Sequence, residues 1–173
     1  ATGFIGREAA PLLAERGFEI HGVGSADADL LDPAVPEALV REIRPSHLLH
    51  FAWYAVPGKF WNAPENAAWV EAGVRLVRAF ADAGGERMTI SGSCAEYDWT
   101  GDGTLSELDT PLRPATYYGT CKQAFAAVAG GLAAERGLSF SWGRVFFLYG
   151  PREQPGRLVS QVASALVRGE SVP

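Results

Sequence analysis

The spacing of apolar positions changes several times along the chain, and each change marks an element. Residues 5–16 repeat at helical spacing, with Pro11 placed to kink that helix. The run FEIHGV over 18–23 predicts a short strand. A second helical pattern covers 32–45, opened by an acid and closed by a proline. HLLHFAW, residues 47–53, is an apolar run of strand length and reads as a buried parallel strand. Residues 63–85 predict a long helix closed by Gly84 and Gly85, and RMTISGS over 87–93 predicts another buried strand. After a loop rich in Gly, Asp and Thr come a helix over 117–136, a strand over 138–147 and a helix over 156–169. Strands alternating with helices of this length predict βαβ units, and so an α/β fold with a doubly wound parallel sheet.

Ligands of such sheets bind beyond the carboxyl ends of the strands, and the chemistry-bearing residues of this chain fall there. The first is a glycine turn. ATGFIG sets Gly3 and Gly6 at GxxG spacing directly before a helix, with Phe4 and Ile5 between them. Glycine lets the backbone approach a pyrophosphate closely while the helix amides point at the anion; alone, the spacing also fits a plain strand-to-helix turn. The strand after that helix ends HGVGSADADLLD, with Ser25 near the place where a carboxylate would meet the adenosine ribose and no acid before Asp27. That favours NADP over NAD, although no arginine lies nearby to receive a 2′-phosphate. Asp29 and Leu30 fit either the wall of an adenine pocket or the cap of the next helix.

The second feature is PATYYGTCKQAF, with Tyr118 and Lys122 four residues apart and so on one helical face. A free phenol titrates near ~10, and a neighbouring ammonium is expected to pull it towards neutrality. Upstream, Ser91 and Ser93 end a buried strand, where a hydroxyl can hold a substrate oxygen. Serine donating, tyrosine moving a proton and lysine gripping a ribose would make a carbonyl–alcohol redox site, the hydride coming from a nicotinamide. Singly, each residue fits a structural role; in this order, behind a glycine turn, they favour catalysis.

These pieces carry a resemblance. TGFIG, ADLLDP, HLLHFAW, ISGSCAEY, ELDTPLRPATYYGTCK and GRVFFLYGPRE span nearly the whole chain, and in that order they resemble the extended short-chain dehydrogenase/reductases, the NAD(P)-dependent epimerase/dehydratases of nucleotide sugars. The resemblance implies a Rossmann-like fold, with Ser93 as hydroxyl contributor, Tyr118 as acid/base, Lys122 as ribose anchor, and Phe51 and Ala52 along the cofactor. The chain reads as cut at both ends, with 1–150 a dinucleotide-binding domain lacking its first strand and 151–173 the start of a substrate-binding domain.

Dehydratases of this kind carry acids just after the catalytic hydroxyl, where this chain has Cys94 and Ala95, so dehydration is disfavoured. The short link between the second strand and ADLLDP resembles 4-keto-sugar reductases. GSC resembles the GDP-fucose synthases, in which a cysteine assists epimerisation; Cys94 fits that part or that of a small buried hydrophobe. Phe147 stands where an asparagine is common, and Trp69 likewise, which puts the substrate contacts in question. Glu96, Tyr97, Trp99, Trp53 and Tyr54 fit a substrate mouth or a cover over the core, and His21, His47 and His50 read as structural. The function expected is reduction or epimerisation of a 4-keto nucleotide sugar. The alternatives are a 4-epimerase with tightly bound NAD and a non-catalytic dinucleotide sensor.

Bulk properties narrow the partners. The 173 residues are 47% hydrophobic and 20% charged, the balance of one ordinary globular domain. A net charge of −5 argues against nucleic acid. No apolar run reads as a membrane span, and the N-terminus lacks the pattern of a signal peptide. Cys94 and Cys121 fit a reducing compartment, hence the cytoplasm, and no metal site is expected. The helices at 64–84 and 117–136 resemble those that pair two subunits of the family, so a homodimer is expected.

Overall fold

The structure, a computed structural model, describes residues 2–153 and 156–171. Three parallel strands, β1 (His47–His50), β2 (Arg87–Ser93) and β3 (Ser139–Val145), stand in the order β1–β2–β3. The helix α3 (Glu65–Asp82) joins the first pair of strands and α4 (Tyr117–Arg136) the second. The ladder aligns Leu48 with Met88 and Phe140, and His50 with Ile90 and Trp142. Strand side chains alternate between faces, so these two rows present one apolar face. Against it α3 supplies Val77 and Phe80, and α4 supplies Phe125, Ala129 and Ala133. Phe125 is central: Trp53 stacks on it at 6.1 Å, and Trp142 and His50 meet it edge-on at 5.6 and 6.0 Å. A further helix, α2 (Val35–Ile43), packs on α3.

The strands differ from the expected ones in extent. FEIHGV, residues 18–23, forms no strand. HLLHFAW pairs only over His47–His50 and leaves the sheet where Trp53 is drawn towards Asn66. Leu49, on the opposite face of β1 from Leu48 and His50, is exposed rather than buried. The expected helix over 117–136 has the same bounds in the structure.

The chain divides into two compact units, Val23–Val145 and a second made of Ala1–Gly22 with Phe146–Pro173. The sheet and α2 to α4 belong to the first. The second contains α1 (Phe4–Ala14), which runs on through Pro11, and α5 (Leu158–Arg168). Its two segments are joined by Arg152 Nη2 and Glu8 Oε1 at 2.7 Å. Residues 154, 155, 172 and 173 of the expected second domain lie outside the described residues. Among the described residues no helix is long and apolar enough to cross a membrane.

Two outcomes follow for stability. Phe125→Ala should cost about 3–5 kcal/mol, read as a lower denaturant midpoint with a cooperative transition retained; a loss under 1 kcal/mol would displace Phe125 from the centre of the core. His50 is buried, and burial first, then the Lys122 charge, lowers its pKa to about 3. Between about 6.5 and 3 the unfolded imidazole takes a proton that the folded one refuses, so stability falls as pH drops, by up to about 1.4 kcal/mol per unit. His50→Leu should flatten that share of the slope in chemical denaturation at pH 6.5, 5.5 and 4.5, and an unchanged slope would rule it out.

Candidate active site

Ser93 ends β2 and begins a tight turn. Its Oγ accepts from the Ala95 amide at 3.2 Å, while the Glu96 carboxylate accepts from the Ser93 amide at 2.7 Å, a reciprocal cap on the 3₁₀ turn Cys94–Glu96. Glu96 is fully buried. Its oxygens also accept from the Trp142 indole at 3.0 Å and from Arg144 Nε at 2.9 Å, as a buried charge requires. Gly92 makes room for this cluster, since a Cβ there would lie 2.7 Å from Glu96 Oε1 and collide with the Trp142 indole nitrogen.

The start of α4 is pressed onto that turn. Thr116 caps the helix by accepting from the Gly119 amide at 3.1 Å. A Cβ on Gly119 would run into the Ala95 carbonyl oxygen and lie 2.8 Å from Pro114 Cβ. Only glycine permits this approach, and it sets the neighbouring Tyr118 close enough to Ser93 for the serine to pull down the phenol's pKa. The phenol ring is flanked edge-on by Phe60 at 4.9 Å, Trp61 at 6.0 Å and Trp53 at 6.2 Å.

One turn further along α4, Lys122 is only 3% exposed. Its Nζ donates to the Ser91 carbonyl at 2.9 Å and sits 3.9 Å from the centroid of the Trp53 ring. Burial lowers the amine's pKa to about 7, against an opposing pull from Glu96. The expectation that Lys122 drags the Tyr118 phenol down is corrected here. Burial raises the phenol above its ordinary range, Ser93 lowers it, and Glu96 and Cys94 raise it again. The ammonium lies 6.0 Å from the phenol ring and is directed at a carbonyl and an indole instead.

Cys94 is buried, and burial raises its thiol pKa, which suits a packed side chain better than a thiolate. Tyr97 is buried too, under Arg144, whereas Trp99 is half exposed and donates to the Cys94 carbonyl. Ser25 and Asp29 are exposed and Leu30, Phe51 and Ala52 half-buried; Asp29 accepts from the Leu31 amide in its own turn. Asp27 likewise accepts from the Gly24 amide at 2.8 Å. Thus Ser93, Cys94, Glu96, Tyr118 and Lys122 come together. In the other unit, Gly3 is the N-cap of α1, Phe4 and Ile5 are half-buried, Gly6 is buried and Phe147 is exposed. That helix start has no side-chain cap and no acid in its first turn, and a Cβ on Gly3 would meet nothing within 4 Å. An uncapped helix start fits a phosphate group.

Sequence reasoning missed Asn66. It is fully buried, accepts from the Trp53 indole at 2.8 Å, and donates to the Phe60 and Ala63 carbonyls at 2.7 and 2.9 Å. The only signal for it was an amide in the first turn of a helix, a position usually occupied by solvated side chains. Among the described residues no group of three or more His, Cys, Asp or Glu could hold a metal.

Comparison with known proteins gives this arrangement its context. A UDP-glucose 4-epimerase from Thermus thermophilus, solved in complex with NAD, superposes with a TM-score of 0.76 at 25% identity, over 98% of this chain and 61% of that one. MoeE5, solved with UDP-glucose and NAD, gives 0.73 at 30% identity, over 99% and 60%. A dTDP-4-dehydrorhamnose reductase from Streptomyces griseus is 30% identical over 127 residues, 72% of this chain and 41% of the relative. The chain thus spans between two fifths and three fifths of the length of these relatives. Residues 1–173 match the model of the NAD dependent epimerase/dehydratase family, and the chain belongs to that family.

Proposed function

We propose that this chain carries the cofactor-binding and proton-transfer part of an enzyme that reduces or epimerises a 4-keto nucleotide sugar. The observation that carries the reading is the close approach of α4 to the Cys94–Glu96 turn at Gly119, which sets Tyr118 beside Ser93 with Lys122 one turn behind. Ser93 would hold the sugar oxygen, and Tyr118 would pass a proton to or from it. The raised phenol pKa keeps the tyrosine protonated at neutral pH, the form a reduction needs. When bound, a reduced nicotinamide would supply the hydride and become the cationic, oxidised form. Lys122 would meet its ribose, and, taken by itself in the other unit, the helix start at Gly3, Phe4, Ile5 and Gly6 has the chemistry to meet a pyrophosphate.

Dehydration is disfavoured because position 95 is Ala, Cys94 is a buried thiol, and the next carboxylate, Glu96, is committed to Ser93, Trp142 and Arg144. The commitment of Asp27 to its own turn supports NADP over NAD, since no free acid faces a 2′-phosphate there. Two free cysteines support a reducing compartment. Pairing through α3 and α4 would give a homodimer, and exposed Val128 on α4 suits such a face.

Tyr118→Phe should lower turnover of a 4-keto sugar nucleotide with NADPH or NADH by about 10²–10⁴-fold; unchanged turnover would remove Tyr118 as the acid/base. Gly119→Ala should lower kcat by about 10²-fold, because the added methyl lifts Tyr118 off the Cys94–Glu96 turn. Wild-type kcat in a folded Gly119→Ala protein would refute the close approach.

A further inference from the structure

Lys122 is one of two lysines in the chain, and its charged end is enclosed rather than solvated. Burial disfavours the ammonium, yet the groups around it compensate little. The Ser91 carbonyl takes one of its three protons. From β1, His50 faces it with an imidazole Nε2 that has no hydrogen-bond partner. From the turn after β2, Glu96 acts at a distance, its oxygens already shared with Trp142 and Arg144. On its own helix, the Tyr118 phenol is neutral. What lies directly against the charge is the face of Trp53, 3.9 Å away, and the electron-rich face of an indole is the strongest aromatic partner for a cation.

We propose that Trp53 and Asn66 are positioning residues for Lys122: the indole face seats the ammonium, and the buried Asn66 amide fixes the indole beneath it. Asn66 suits the second part, because its carbonyl oxygen takes the indole proton and its amino group is tied to two backbone carbonyls. It has no freedom to turn without losing three bonds. The same loop carries Phe60 and Trp61 against Tyr118, so one anchor sets the surroundings of both the phenol and the amine. The seating stands on this geometry alone; its effect on turnover rests on the reading of Lys122 given above.

The test is the protonation midpoint of Lys122, followed by NMR in lysine-labelled protein, where Lys59 is the only other signal. Trp53→Phe, which keeps an aromatic face, should hold the midpoint close to that of the wild type. Trp53→Leu should lower it by about 0.4–1.5 pH units, and Asn66→Ala by a smaller amount. Should Trp53→Leu fail to fold, incorporation of mono-, di- and trifluorinated tryptophan decides the matter. Fluorine drains the ring face with little change of shape, and the midpoint should fall stepwise. A midpoint unmoved by the fluorinated series overturns the proposal. In turnover assays the pH profile of Trp53→Leu should shift to lower pH with the midpoint, and Trp53→Phe should restore it. If the midpoint moves and the turnover profile does not, the seating holds and the assignment of Lys122 to the cofactor falls.

Discussion

The buried Glu96 carboxylate is the constraint on which the site depends. It gathers a backbone amide from the end of β2 and two side-chain donors from β3, and so fixes both the last residue of one strand and the side chains of the next. A charge without solvent tolerates little movement of its donors. Ser93 is therefore held at its backbone, and the turn that follows offers a rigid surface on which α4 can rest. Glu96 is a determinant of geometry at this turn.

The interior carries an ammonium, an imidazole and a carboxylate within one small three-stranded unit. The helix-facing rows of the sheet surround them with Phe125, Trp142, Ile90 and Met88, so each polar group must be satisfied locally or stay neutral. Glu96 is satisfied by three donors, His50 remains uncharged, and Lys122 lies between these cases. Its seat combines one carbonyl with one aromatic face. A residue poised this way responds to small changes around it far more than a solvated lysine would.

Much of this was legible in the sequence, and the exceptions share a cause. Periodicity identified α4 to its ends, and the spacing of Tyr118 and Lys122 put both on its inner side. The expected electrostatic coupling between them was not borne out in direction, because spacing fixes which face a side chain leaves from but not which group its end finds. Lys122 found Ser91 and Trp53. Glu96 fitted either a substrate mouth or a cover over the core, and only Trp142 and Arg144, 46 or more residues later, account for its burial. Asn66 was silent for the same reason: its partners Trp53 and Phe60 are brought to it by the fold. FEIHGV had the composition of a strand, but a ladder is a property of two segments.

The contact between Gly119 and Ala95 is made to a main-chain oxygen, and this shapes how the site can vary. Any residue may replace Ala95 without relieving the crowding, because the obstructing atom is common to all twenty. Position 119 therefore has no compensating partner: a bulkier residue there cannot be rescued by shrinking its neighbour, only by moving a helix. Variation in this region is expected to run through the side chains around Tyr118, with the backbone crossing beneath it left unchanged.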